Sequence, residues 1–70
     1  MPLVDVRSSL NVSVFSGGCA VQWKPDVDID VSGSAAVVNT PKHCPAAAFS
    51  DFLFENNASA VVYVFEVSGN

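Results

Sequence analysis

The chain has 70 residues, half of them hydrophobic and only 14% charged, with a net charge of −4 from seven acids against Arg7, Lys24 and Lys42. That balance argues against nucleic-acid binding, which needs a basic footprint to displace counterions from phosphate. No apolar run approaches the roughly 18 residues of a membrane-spanning helix.

Residues 1–70 make one domain, near the lower size limit for folding without a staple or a partner. A typical globular domain is about 25% charged, so this chain has few charges with which to cover a large surface. The composition predicts that part of its apolar surface is buried against other chains. Met-Pro-Leu-Val-Asp-Val-Arg at the start lacks the basic opening and apolar core of a secretory signal. The chain is therefore expected to be made and kept inside a cell, or released by lysis. In that compartment Cys19 and Cys44, the only cysteines, are expected as two reduced, buried thiols. The alternative is one disulfide closing a loop of about 26 residues, worth about 3 kcal/mol through chain entropy.

Residues 3–15 alternate cleanly. Val4, Val6, Leu10, Val12 and Val14 fall on one face, and Asp5, Arg7, Ser9, Asn11 and Ser13 on the other, the period of a half-buried strand. A strand is usually about five or six residues long, so a bend or bulge is expected near Ser8-Ser9. Gly17-Gly18 makes a turn, because glycine takes positive φ at little cost. Cys19–Trp23 is a second strand, interrupted by Pro25, which cannot donate to a ladder. Val27, Ile29 and Val31 then alternate with Asp26, Asp28 and Asp30 as a further strand. Ser32-Gly33-Ser34 is the next turn, Ala35–Asn39 a short apolar strand, and Thr40–Pro45, with two prolines, irregular.

Residues 46–54 admit two readings. Pro45 suits the start of a helix, and Phe49, Phe52 and Leu53 have helical spacing. Phe52 and Phe54 also alternate, and Asn56-Asn57 would make a tight hairpin turn toward Val61–Val67. A strand from Ser50 onward is expected, with a single helical turn over Ala46–Phe49 as the alternative. The expected fold is all-β, a small sandwich or barrel of about six short antiparallel strands. The last strand is apolar on both faces, which places it centrally in a covered sheet or at a subunit contact.

Little in the chain suggests chemistry. Asp26-x-Asp28-x-Asp30 is a weak candidate for a metal, but Val31 and Val37 stand where a calcium loop needs Gly and Glu. A solvated strand face guarding against edge pairing explains the acids better. His43 lies beside Cys44, and neighbours on an extended chain point to opposite sides, so they are not a base and its nucleophile. Zinc would need a further ligand beyond Cys19, His43 and Cys44. No Gly-x-Ser-x-Gly or phosphate-binding loop is present, so neither an enzyme nor a cofactor is expected. Trp23 with Tyr63 could form a sugar-stacking platform, though large aromatics of so small a domain are more often core or interface.

Ala35-Ala36-Val37-Val38-Asn39 leads into Thr40-Pro41-Lys42-His43-Cys44-Pro45. Phe52-Leu53-Phe54-Glu55-Asn56, Asn57-Ala58-Ser59-Ala60 and Val61-Val62-Tyr63-Val64 follow. This run, within about residues 30–67, resembles small β-rich accessory proteins of tailed-phage virions. The resemblance implies a structural role at a capsid or at a tail or fibre attachment point, as a homo-oligomer and commonly a trimer. It also implies assembly in the host cytoplasm and residence in the virion, and it carries over no functional residue. A decoration or cement subunit would use Phe52, Phe54, Val61, Tyr63 and Phe65 for its core and inter-subunit contacts. The alternatives are a glycan- or protein-binding module using Trp23, and a phage-type inhibitor of a host protein.

Overall fold

Three strands of the chain run parallel, and that sets everything else. The computed structural model describes residues 1–65. Their elements are β1 (Leu3–Asp5), β2 (Leu10–Phe15), β3 (Gly18–Trp23), β4 (Ala35–Asn39), α1 (Ala46–Glu55) and β5 (Ala60–Val64). One sheet has the order β1-β4-β5 and the other is the β2-β3 hairpin. Leu3, Val4 and Asp5 lie opposite Ala35, Ala36 and Val37, which in turn face Ala60, Val61 and Val62, parallel throughout. The hairpin is antiparallel from Leu10–Trp23 to Phe15–Gly18, and Gly17 supplies positive φ (105°) at its turn.

The expected all-β sandwich or barrel is therefore wrong: the protein is mixed α/β. The error lies at residues 46–57. Ala46-Ala47-Ala48 are the best of helix formers, and they open a ten-residue helix behind Pro45. Phe49 and Leu53, one helical turn apart, are both buried, whereas Phe54 is 51% exposed. The period of 3.6 prevails over the Phe52/Phe54 alternation. Asn56-Asn57 is not a hairpin bend but the end of this helix. Asn57 sits at φ 69°; its N–H donates to Phe54 O (3.0 Å) and that of Ala58 to Leu53 O (3.0 Å). These two bonds define a Schellman cap, closed by apolar contact between the residues at its ends, here Leu53 and Ala58, both in the core. Parallel strands cannot be joined by a tight turn, so α1 is the crossover from β4 to β5. The expected strand through Val67 reaches Val64; Glu66 and Val67 lie outside the described residues.

Two further expectations change. Among the described residues, 27–31 pair with no strand, yet they keep their alternation, with Val31 buried and Asp26, Asp28 and Asp30 exposed. Here the apolar side chains are gathered by the core rather than by a ladder. Cys19 and Cys44 are bridged, with Cα atoms 5.7 Å apart, not two reduced thiols. The bend foreseen at Ser8-Ser9 is a break between two sheets: Val6 N–H still donates to Val37 O (3.0 Å), while Lys24 N–H donates to Ser9 O (3.0 Å).

The core lies between one face of the parallel sheet and the layer formed by α1 and the hairpin. It joins Val6, Val31, Ala36, Val38, Phe49, Leu53 and Ala58, with Leu10, Val21, Trp23, Val61 and Tyr63 packed around them. A chain that visits neighbouring parallel strands in a single direction, by right-handed crossovers, lays both connections on the same face. Here β1, β4 and β5 are visited in spatial order, so the hairpin and the helix share a face. Among the described residues no helix or strand covers the opposite face.

Candidate functional site

That uncovered face follows from the strand alternation. Val4, Ala36, Val38, Val61 and Tyr63 point into the core, so Leu3, Asp5, Ala35, Val37, Asn39, Ala60, Val62 and Val64 belong to the other side. Leu3 is 69% and Val62 39% exposed, and Phe65, just past β5, is 71% exposed. Parallel sheets are ordinarily covered on both faces. Here no described helix or strand lies over the second face, which is largely apolar, with Asp5 and Asn39 at the ends of β1 and β4 and with Ala35 only 5% exposed.

The two edges of this sheet differ. β1 is guarded by the charged pair Asp5 and Arg7, whereas the carbonyl of Pro2 faces β4 and accepts the Ala35 N–H (2.9 Å). Arg7 donates through Nε to Asp5 Oδ1 (3.0 Å) and through Nη2 to Oδ2 (2.8 Å), and its backbone N–H adds a third bond to Oδ1 (3.0 Å). Donation from the guanidinium holds the Asp5 carboxyl down at about 2 and pushes Arg7 up. β5, Ala-Val-Val-Tyr-Val, has no charge, proline or bulge, the devices by which edge strands are normally kept from pairing. Among the described residues, no strand pairs with its outer side.

A cleft of about 160 Å³ opens at the carboxyl ends of β1 and β4, lined by Arg7, Leu10, Val12, Val38, Asn39, Thr40, Pro41 and Phe49. A cavity near 150 Å³ holds a single aromatic ring. Its one charged side chain, Arg7, is already engaged by Asp5.

The aromatic residues singled out from the sequence fall into separate places. Trp23 meets Phe52 edge-on, with ring centroids 5.3 Å apart, and its indole N–H donates to Asn56 Oδ1 (3.3 Å). Asn56 in turn donates to Phe52 O (2.8 Å), so the Trp23 ring is fixed to the C-terminal end of α1. Tyr63 donates to Ala46 O (2.8 Å) at the opposite end. Ten residues of helix separate these points by about 15 Å, and the two rings do not share a platform. Val61 packs on the core beside Tyr63, while Phe54 and Phe65 point outward.

The chemistry-bearing residues are dispersed. Asp26, Asp28 and Asp30 stand on an extended loop; Asp30 accepts the Ser32 N–H (2.9 Å), which lowers its pKa. Among the described residues no three His, Cys, Asp or Glu side chains gather as a metal site. Both sulfurs are committed to the bridge, so neither is a thiolate beside His43. No described helix is long and apolar enough to cross a membrane. Sequence reasoning missed the Asp5–Arg7 fork, although its i, i+2 spacing on a strand places both side chains on one face. It also missed the Asn56 bridge to Trp23, which has no local signal.

Comparison with protein-family models, with curated proteins and with solved structures found no match.

Proposed function

We propose that the protein is a structural, oligomer-forming subunit that works by burying apolar surface against neighbouring chains, in the manner of virion decoration or cement proteins, without catalysis. The observation that supports this most is the largely apolar face of the parallel sheet that no described helix or strand covers.

Strands about 4.8 Å apart, two of five residues and one of three, present roughly 200 Å². At about 25 cal/mol per Å² this is worth about 5 kcal/mol. Association itself costs an estimated 4–15 kcal/mol. One such face is thus too small to hold two free molecules together firmly. It is large enough to add cohesion in a lattice, where neighbouring contacts raise the effective concentration. The Cys19–Cys44 bridge suits a working life outside the reducing cytoplasm, as in a particle assembled in a cell and released from it.

The test is native mass under non-reducing conditions, over a concentration series reaching about 1 mM, the range in which interfaces this small associate. A mass that grows to a small multiple of 7.3 kDa is expected. A monomer throughout the series would overturn the proposal.

A further inference from the structure

We propose that the cleft at the carboxyl ends of β1 and β4 binds a small aromatic carboxylate, with the ring among apolar side chains and the carboxylate on the outer edge of the Arg7 guanidinium. This goes beyond the oligomer-forming role and does not rest on it.

The apolar part of the ligand follows from the size and lining of the cleft. Its volume of about 160 Å³ is close to that of an apolar cavity of about 150 Å³ that takes up benzene. Buried Val38 and Phe49 line it from the core, and Leu10 and Val12 of β2 line it from the hairpin. The polar part follows from Arg7, the single charged residue of the lining. A guanidinium carries five N–H donors in one plane. Asp5 takes the edge formed by Nε and one N–H of Nη2 (3.0 and 2.8 Å). Among the described residues nothing accepts from Nη1, so the edge formed by Nη1 and the second N–H of Nη2 is open. Its two parallel donors match the two oxygens of a carboxylate. The Arg7 side chain is 42% exposed, so a ligand can reach it. Asp5 holds the guanidinium in place before anything binds, which reduces the ordering cost of binding. The chain's net charge of −4 weighs against a dianion such as phosphate, whereas a carboxylate brings a single charge. Thr40 adds a hydroxyl to the same lining.

The experiment titrates the full chain, with its bridge intact, with benzoate and follows its NMR signals. Saturable shifts are expected at Leu10, Val12, Val38, Thr40 and Phe49, with a Kd of about 1 mM or below. Acetate has the charge without the ring, and benzyl alcohol the ring without the charge. Each is expected to bind at least about tenfold more weakly than benzoate. Arg7→Gln, verified as folded by circular dichroism, is expected to weaken benzoate by about tenfold and to leave benzyl alcohol unchanged. The Asp5 carboxyl signal is expected to hold its position as benzoate binds, because the ligand takes the other edge of the guanidinium. Absence of saturable shifts at ten times the expected Kd would overturn the site, as would acetate binding as well as benzoate. Benzoate binding unchanged in Arg7→Gln, or displacement of Asp5 by benzoate, would overturn the role given to Arg7 and the proposal with it. Shifts spread to exposed Phe15 and Val62, away from the cleft, would show general apolar adsorption and overturn it too. Native mass decides the oligomer-forming role separately.

Discussion

The phenol of Tyr63, on β5, reaches back across the crossover to donate to the carbonyl of Ala46, the first residue of α1 (2.8 Å). Strand and helix are joined there by a side chain from a position that sequence alternation alone would assign only to packing. Tyr63→Phe keeps the ring and removes the donor. The loss expected is about 1 kcal/mol, read as a lower urea midpoint with unchanged slope in dilute solution. An unchanged midpoint would mean that water replaces the phenol at no cost.

Asn57 carries the left-handed turn that ends α1. Side chains with a Cβ pay about 1 kcal/mol or more for that conformation, and Asn less than most. Asn57→Ala should therefore destabilise by about 1 kcal/mol, while Asn57→Gly should be neutral or stabilising by up to about 0.5 kcal/mol. Equal stabilities for the two variants would show that the cap contributes nothing.

Reduction of the Cys19–Cys44 bridge releases a loop in a chain too short to spare it. The expected cost is about 3 kcal/mol, which in a domain of this size lowers the melting temperature by more than about 10 °C. A thermal scan with and without a phosphine reductant measures it. A shift below about 2 °C would show that the core alone holds β3 against the loop before α1.

The Asp5–Arg7 pair predicts a pH effect of definite sign. The folded carboxyl is held at about 2, below the ordinary value of 3.8. Its contribution is thus complete above the ordinary value and is lost as the pH falls from about 4 through about 2. Both side chains are largely exposed, so the effect on stability is small and the direct observable is the titration itself. NMR of the Asp5 carboxyl should give a midpoint near 2 in the wild type, returning to the ordinary carboxylate range in Arg7→Gln. An unmoved midpoint would mean that the fork does not persist in solution.

Local signals served well where local physics decides. The strands at Cys19–Trp23 and Ala35–Asn39, the glycine turns and an interruption near Ser8-Ser9 were all legible, because alternation and turn residues act over a few positions. The tolerance of Asn57 for positive φ was legible too, but both a hairpin and a Schellman cap use it. What chose between them was three alanines and a buried Phe49–Leu53 pair, and the Phe52/Phe54 alternation obscured that signal. Val27–Val31 shows the opposite case: its faces were readable, but the absence of a partner strand is a tertiary fact. The Cys19–Cys44 bridge was only one of two options, since spacing cannot bring β3 to the loop before α1. Of the candidate site, the excess of apolar surface was visible in composition. Its location was not, because it depends on strand order.

Strand order also bears on how the chain folds. β4, α1 and β5 are consecutive and can assemble as a local unit. Leu3 faces Ala35, so β1 joins its ladder across about thirty intervening residues, and such distant pairings are the slow ones. Until β4 is in place, Leu3 and Val4 have no ladder to join. The strand that carries Asp5 is the last able to take its place.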